Sequence, residues 1–181
     1  MKRTFLVLAT SALLLGVQDT SHAQRHSSSD LNRIAEAIEQ RVEQERPDWR
    51  SEPITPATPS GNSASDKVKI RDWTSPTKSA RVSIVYHESE EEAVNALRKI
   101  VANFPDSRAT PGLGDEAFVW GLTGEIAIRK GNLTLYVSAS VKQIDLTGIK
   151  SRAEIDRARD EQAKIATRSF AQLVATALAL L

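Results

Sequence analysis

The chain predicts an α+β domain: an antiparallel sheet of about five strands, in the order β-β-α-β-β-β-α, covered by helices and preceded by an N-terminal helix and a Pro-rich linker. Three observations lead there. Short runs of alternating apolar and polar residues come in a pair and then a triplet. Two stretches with helical periodicity open on Ser-x-x-Glu, the pattern of a capping box. The strands follow one another through glycine turns, without the regular strand–helix alternation of a parallel sheet.

Each element has its own warrant. Residues 27–46, "SSSDLNRIAEAIEQRVEQER", place Leu31, Ile34, Ala35, Ile38 and Val42 at helical spacing, with Ser29 or Asp30 as the cap and Pro47 as the stop. The stripe is narrow, so the helix needs a partner surface. Residues 47–66 hold four of the seven prolines among Ser, Thr, Gly and Asn, and read as an extended linker. "KVKIRDW" (67–73) and "ARVSIVYH" (80–87) alternate around the turn "TSPTK" and read as a hairpin. "SEEEAVNALRKIVANF" (89–104) is a helix capped by Ser89 and Glu92, with Val94, Leu97, Ile100, Val101 and Phe104 on its apolar side. A meander follows: "EAFVWGL" (116–122), "EIAIRK" (125–130) and "LTLYVSASV" (133–141), separated by Thr123-Gly124 and Gly131-Asn132. Residues 151–181 close the chain as a long helix, opened by Ser151 and Glu154 and free of charge from Ser169 onward. That uncharged run is too short to cross a bilayer, which takes about 20 residues, and reads as a core helix packed on the sheet.

Composition narrows the functions. Residues 1–23 combine a basic start at Lys2 and Arg3, an apolar run from Phe5 to Val17 and small residues at Ser21 and Ala23, the layout of a cleaved export signal. The expected units are therefore the signal at 1–23, a helix and linker at 24–66, and a globular domain at 67–181 in the periplasm or outside the cell. Cysteine is absent, which excludes disulfides, thiolate catalysis, Cys-ligated metal and a lipidated cysteine. The chain carries 24 basic and 23 acidic side chains, and without Lys2, Arg3 and Asp19 the two balance, so charge gives no argument for nucleic acid or an anionic membrane.

Three motifs invite a chemical reading. "PGLGDEAF" offers glycines and the paired carboxylates Asp115 and Glu116, but a strand follows it where the phosphate fingerprints need a helix. Adjacent carboxylates on a strand point to opposite faces, poor geometry for a shared proton or metal. The stretch is better read as a turn in which Pro111 and Gly112 bend the chain, Gly114 takes positive φ and Asp115 binds backbone N–H groups. "SPTK" (75–78) matches Ser-x-x-Lys, yet that chemistry needs a helix and further motifs that are missing here. His87 in "YHESEEE" lacks the second histidine of a zinc helix, so no metal and no cofactor is expected. A surface remains: Arg71, Trp73, Arg81, His87, Arg129 and Tyr136, with Lys69, fall on the polar parity of their strands. If those parities line up, they form a cationic ligand-binding face, suited to an anion or a glycan.

"GLGDEAF", followed by "AIRKGNLTLYVS" and a closing Ala-rich helix, resembles small exported domains of bacterial envelope lipoproteins and extracytoplasmic kinase sensor modules. In these a Gly-x-Gly-Asp-Glu-Ala turn leads into a hairpin whose second strand reads Arg-x-Gly-Asn. The resemblance covers residues 111–140 and, by topology, 67–181. It implies a compact α+β domain for binding or sensing and carries over no catalytic residues; the lipid-anchor cysteine, a kinase and a transmembrane segment are absent. The expectation is a non-enzymatic domain that binds a ligand or an envelope protein. The alternatives are a small hydrolase using Asp115, Glu116 or His87, and an adaptor docking through its terminal helices.

Overall fold

The structure is a computed structural model that describes residues 27, 30–52, 67–145, 147–149 and 151–180. The expected export signal, Ser29 as a cap and most of the linker (53–66) lie outside the described residues. Helix α1 (Asp30–Glu45) buries the five residues its periodicity marks, and the Asp30 carboxylate accepts the Ser27 N–H at 2.8 Å. The strands are β1 (Arg50–Glu52), β2 (Val68–Thr74), β3 (Lys78–Tyr86), β4 (Arg108–Ala109), β5 (Glu116–Trp120), β6 (Glu125–Lys130) and β7 (Leu133–Val141). Helix α2 (Glu90–Val101) follows β3, and α3 (Arg152–Ala179) ends the described chain.

All strands join one antiparallel sheet in the order β1-β2-β3-β7-β6-β5-β4, seven strands where about five were expected. The two additions are the edges, of three and two residues. Segments that short show no alternation, and only pairing with a neighbour makes them strands. The central pair, β3 with β7, joins the first hairpin to the meander across some fifty residues of chain, with Val82 opposite Val137 and Ile84 opposite Leu135.

Helices cover both faces. On one, α1 and α3 pack together over Trp73, Val82, Ile84, Ile126, Leu135 and Val137. On the other, α2 lays Leu97 against Ala127 and Trp120, and Phe104 stacks on Trp120 at 4.8 Å. The composition boundary at 66/67 does not divide two cores. Leu31, Ile34, Ile38 and Val42 of α1 belong to the same buried cluster as the strands and α3, and Trp49 joins them just before β1. The partner surface that α1 lacked in the sequence is α3.

Both helix starts are capped. At α3 the box is complete: Ser151 Oγ accepts from Glu154 N at 3.3 Å and the Glu154 carboxylate accepts from Ser151 N at 3.0 Å. At α2, Ser89 Oγ accepts from Glu92 N at 3.1 Å, but the Glu92 carboxylate takes the Glu88 N–H at 3.0 Å, one residue earlier than the box pattern. Beyond Ile126↔Val137, β7 outruns β6, and Thr167 of α3 accepts the Ala139 N–H there at 3.0 Å. No helix among the described residues is long and apolar enough to cross a membrane.

Candidate functional site

The residues of the expected cationic face divide between the two sides of the sheet. Arg71 lies opposite Val82 and Trp73 opposite Ala80, on the side covered by α1 and α3. Trp73 has no exposed surface and packs 5.1 Å from the Phe170 ring; its indole N–H has no hydrogen-bond partner among the described residues. Arg71 Nε lies 3.6 Å from the Glu39 carboxylate of α1. Arg81, Arg129 and Tyr136 face the other way, as their register with Asp72, Glu116 and Ala127 requires. Alternation fixes the phase along one strand, whereas pairing fixes the phase between strands, and β2 is out of step with the parity the sequence suggested.

Those three are also occupied. Arg81 forks onto Asp72 at 2.7 and 2.8 Å, and this carboxylate raises its pKa. Tyr136 is half-buried against α2, and burial pushes its hydroxyl above the usual range. Arg129 meets both members of the Asp115–Glu116 pair, with Nη1 3.1 Å from Asp115 and Nε 3.7 Å from Glu116. The two carboxylates were expected to diverge. They converge because Asp115 sits one residue ahead of β5, outside the pleat.

Asp115 closes the β6–β7 turn. Its carboxylate accepts the Gly131 N–H at 2.7 Å and the Lys130 ammonium at 3.0 Å, while its own N–H donates to Arg129 O at 2.8 Å. Burial pushes this carboxyl up, but the Gly131 N–H, Lys130 and Arg129 outweigh it and hold the group below its ordinary value. His87 grips the same turn from the far side. Its N–H donates to Asn132 O at 2.9 Å, the Asn132 amide donates to His87 O at 2.8 Å, and its Nε2 shares a hydrogen bond with the buried Thr134 hydroxyl. Burial lowers the imidazole pKa; Glu92 opposes this and Lys67 adds to it. The fold thus brings His87, Asp115 and Glu116 to one end of the sheet, each bonded to structural partners. No group of three His, Asp or Glu among the described residues is placed to hold a metal ion.

The turn residues follow the same logic. Gly112 and Gly114 have φ of +83° and +64°, and a Cβ on Gly114 would stand 2.4 Å from Arg129 O. Gly131, at φ +55°, opens the two-residue hairpin between β6 and β7. Ser75 and Lys78 close the β2–β3 hairpin: Ser75 N donates to Lys78 O at 2.8 Å and Ser75 Oγ accepts Lys78 N at 3.1 Å. The Ser-x-x-Lys match is a turn.

That hairpin lines a cleft absent from the sequence reading. Three separate segments enclose about 290 Å³: the exit of α1 with Arg46 and Trp49, the β2–β3 turn with Ser75 and Lys78, and α3 with Ile165 and Phe170. Trp49 stacks on Phe170 at 5.4 Å as its apolar wall, and Ile165 stands 61% exposed at its mouth. Arg46 reaches across it, donating from Nη2 to Ser169 Oγ at 2.6 Å. Among the described residues neither Arg46 nor Lys78 makes an ion pair, and Asp48 is the one carboxylate in the lining. A larger hollow of about 790 Å³ beside α1 contains the Arg71–Glu39 pair and two further glutamates, Glu43 and Glu52. A groove of about 560 Å³ over the open sheet face contains the Arg81–Asp72 fork. In the first, Glu39, Glu43 and Glu52 outnumber Arg50 and Arg71, and in the second Glu52, Asp72 and Glu125 outnumber Arg81 and Lys142. The one sequence signal for the cleft was Trp49, a large apolar residue in a segment otherwise read as linker.

Set against known protein families, curated proteins and solved structures, the chain matches none of the three.

Proposed function

We propose that this chain is a binding domain of the bacterial cell envelope, exported by residues 1–23, which holds a small ligand without transforming it. The cleft between α1, the β2–β3 turn and α3 carries this reading. It joins an apolar wall to convergent polar groups, the composition of small-molecule sites, at the lower end of their usual size of roughly 300–1,000 Å³. Among the described residues its two cations lack the carboxylate partners that Arg71, Arg81 and Arg129 have. The groups of the hydrolase alternative are engaged elsewhere: Asp115 and His87 fasten the β6–β7 turn, and Glu116 faces Arg129. The export signal and the resemblance of "GLGDEAF…RKGN" to envelope and sensor domains supply the setting.

The test has two parts. Fusing residues 1–30 to alkaline phosphatase should give an enzyme active outside the cytoplasm; an inactive fusion overturns export. A thermal-shift screen of small anions, cations and neutral compounds against the purified protein should yield compounds that raise the melting temperature. A screen without one overturns small-ligand binding. Turnover of an ester, amide or phosphoester that disappears in an Asp115→Asn/His87→Ala variant that still folds overturns the non-catalytic assignment.

A further inference from the structure

The geometry points to a specific ligand class for the cleft: a small organic monoanion, a carboxylate joined to an apolar body about the size of one ring. This inference rests on the binding reading above and deepens it. Arg46, Lys78 and Asp48 line a space of about 290 Å³, so the lining carries one net positive charge, and neither cation makes an ion pair among the described residues. Arg46 is exposed and Lys78 half-buried, so both are open to an anion entering the cleft, and hydrogen bonds between charged partners are the stronger ones.

Geometry selects the kind of anion. Ser169 takes a single N–H of Arg46, at 2.6 Å, and fixes the guanidinium across the cleft. The planar head retains further donors in the fork arrangement that suits a carboxylate, while Lys78 acts as a compact point charge. The apolar side selects the body. Trp49 and Phe170 are nearly buried and mutually stacked, so they present a preformed edge, and exposed Ile165 gains cover when a flat or branched group lies on it. An inorganic anion would leave Ile165 exposed, and a neutral ring would leave both cations unanswered.

Four probes of similar build separate these contributions: benzoate, benzamide, benzylamine and acetate, at one ionic strength. Binding is read from the NMR signals of the Trp49 indole N–H and the Ile165 methyl groups. Benzoate should shift both saturably, and the other three should bind about tenfold more weakly or worse. Lys78→Ala should weaken benzoate by about fivefold and leave benzamide unchanged, whereas Asp48→Asn should strengthen benzoate. Lys78 holds the hairpin through its backbone, so its alanine variant keeps the fold, and an unchanged melting temperature checks this. Equal binding of benzoate and benzamide overturns the anion while leaving a binding domain. Benzoate that binds without moving the Trp49 and Ile165 signals overturns the cleft. If none of the four probes binds but the broader screen finds a ligand, the class is wrong and the binding reading stands.

Discussion

Gly112 and Gly114 stand two residues apart in one turn and share positive φ, yet their surroundings differ. A Cβ on Gly112 meets nothing within 4 Å, whereas one on Gly114 strikes Arg129 O at 2.4 Å and the Ile128 side chain at 2.8 Å. Gly112→Ala should therefore cost only the conformational penalty of about 1–2 kcal/mol. Gly114→Val adds a backbone collision and should cost roughly 3 kcal/mol or more, read from urea midpoints. Equal losses would mean that the close approach of Arg129 does not matter. Titration gives a second test at this scale. His87 has a lowered pKa, so its neutral form belongs to the folded state; its stabilisation is full above about pH 6.5 and falls as pH drops below that value. Asp115 has a lowered carboxyl, so its contribution persists to about pH 4 and is lost below it. Urea midpoints against pH should show both declines. His87→Gln should flatten the upper one and Asp115→Asn the lower.

The two serine caps look alike in the sequence but differ in what lies beneath them. Helix α2 has twelve residues, and its buried Ala93 and Leu97 lie four and eight residues beyond its cap. The first buried residue of α3 is Ala163, more than ten residues beyond Ser151, and the turns between are exposed or half-exposed. Ser89→Ala should lower global stability by about 1 kcal/mol. Ser151→Ala should instead speed hydrogen exchange over residues 152–160 and leave the melting temperature nearly unchanged, because those turns can open without the core. The sequence marks both caps but not this difference, which depends on where the sheet ends beneath α3. The edge strands were illegible for a similar reason. Arg50–Glu52 and Arg108–Ala109 have no pattern of their own and are strands only because β2 and β5 lie beside them.

For the whole molecule, the chief consequence is that α1 belongs to the core. Ile38 is 1% exposed, in one cluster with Val82, Leu135 and Phe170. Ile38→Ala should destabilise the entire protein by about 2–5 kcal/mol, in a single transition seen alike by far-ultraviolet circular dichroism and tryptophan fluorescence. A separate early transition, with the sheet melting as in the parent, would restore the boundary at residue 67. Membership of α1 in the core also makes the cleft: Arg46 and Trp49 reach α3 only because the helix before them is docked there.

The sequence by itself determined what is local: three helices, the serine caps of α2 and α3, the five longer strands, the glycine turn before β5 and the Gly131-Asn132 hairpin. Each follows from spacing, capping or positive φ within a few residues. Composition added the absence of cysteine and the balance of charge. Tertiary structure alone decided what depends on pairing between distant segments. It set β3 beside β7, placed Arg71 and Trp73 on the opposite face from Arg81 and Arg129, and drew Asp115 and His87 to one turn. It also assembled the cleft from residues 46–49, 75–78 and 165–170. A run of residues carries its own period and phase. The register between runs is a property of their contact, and both the faces of this sheet and its candidate site are built from register.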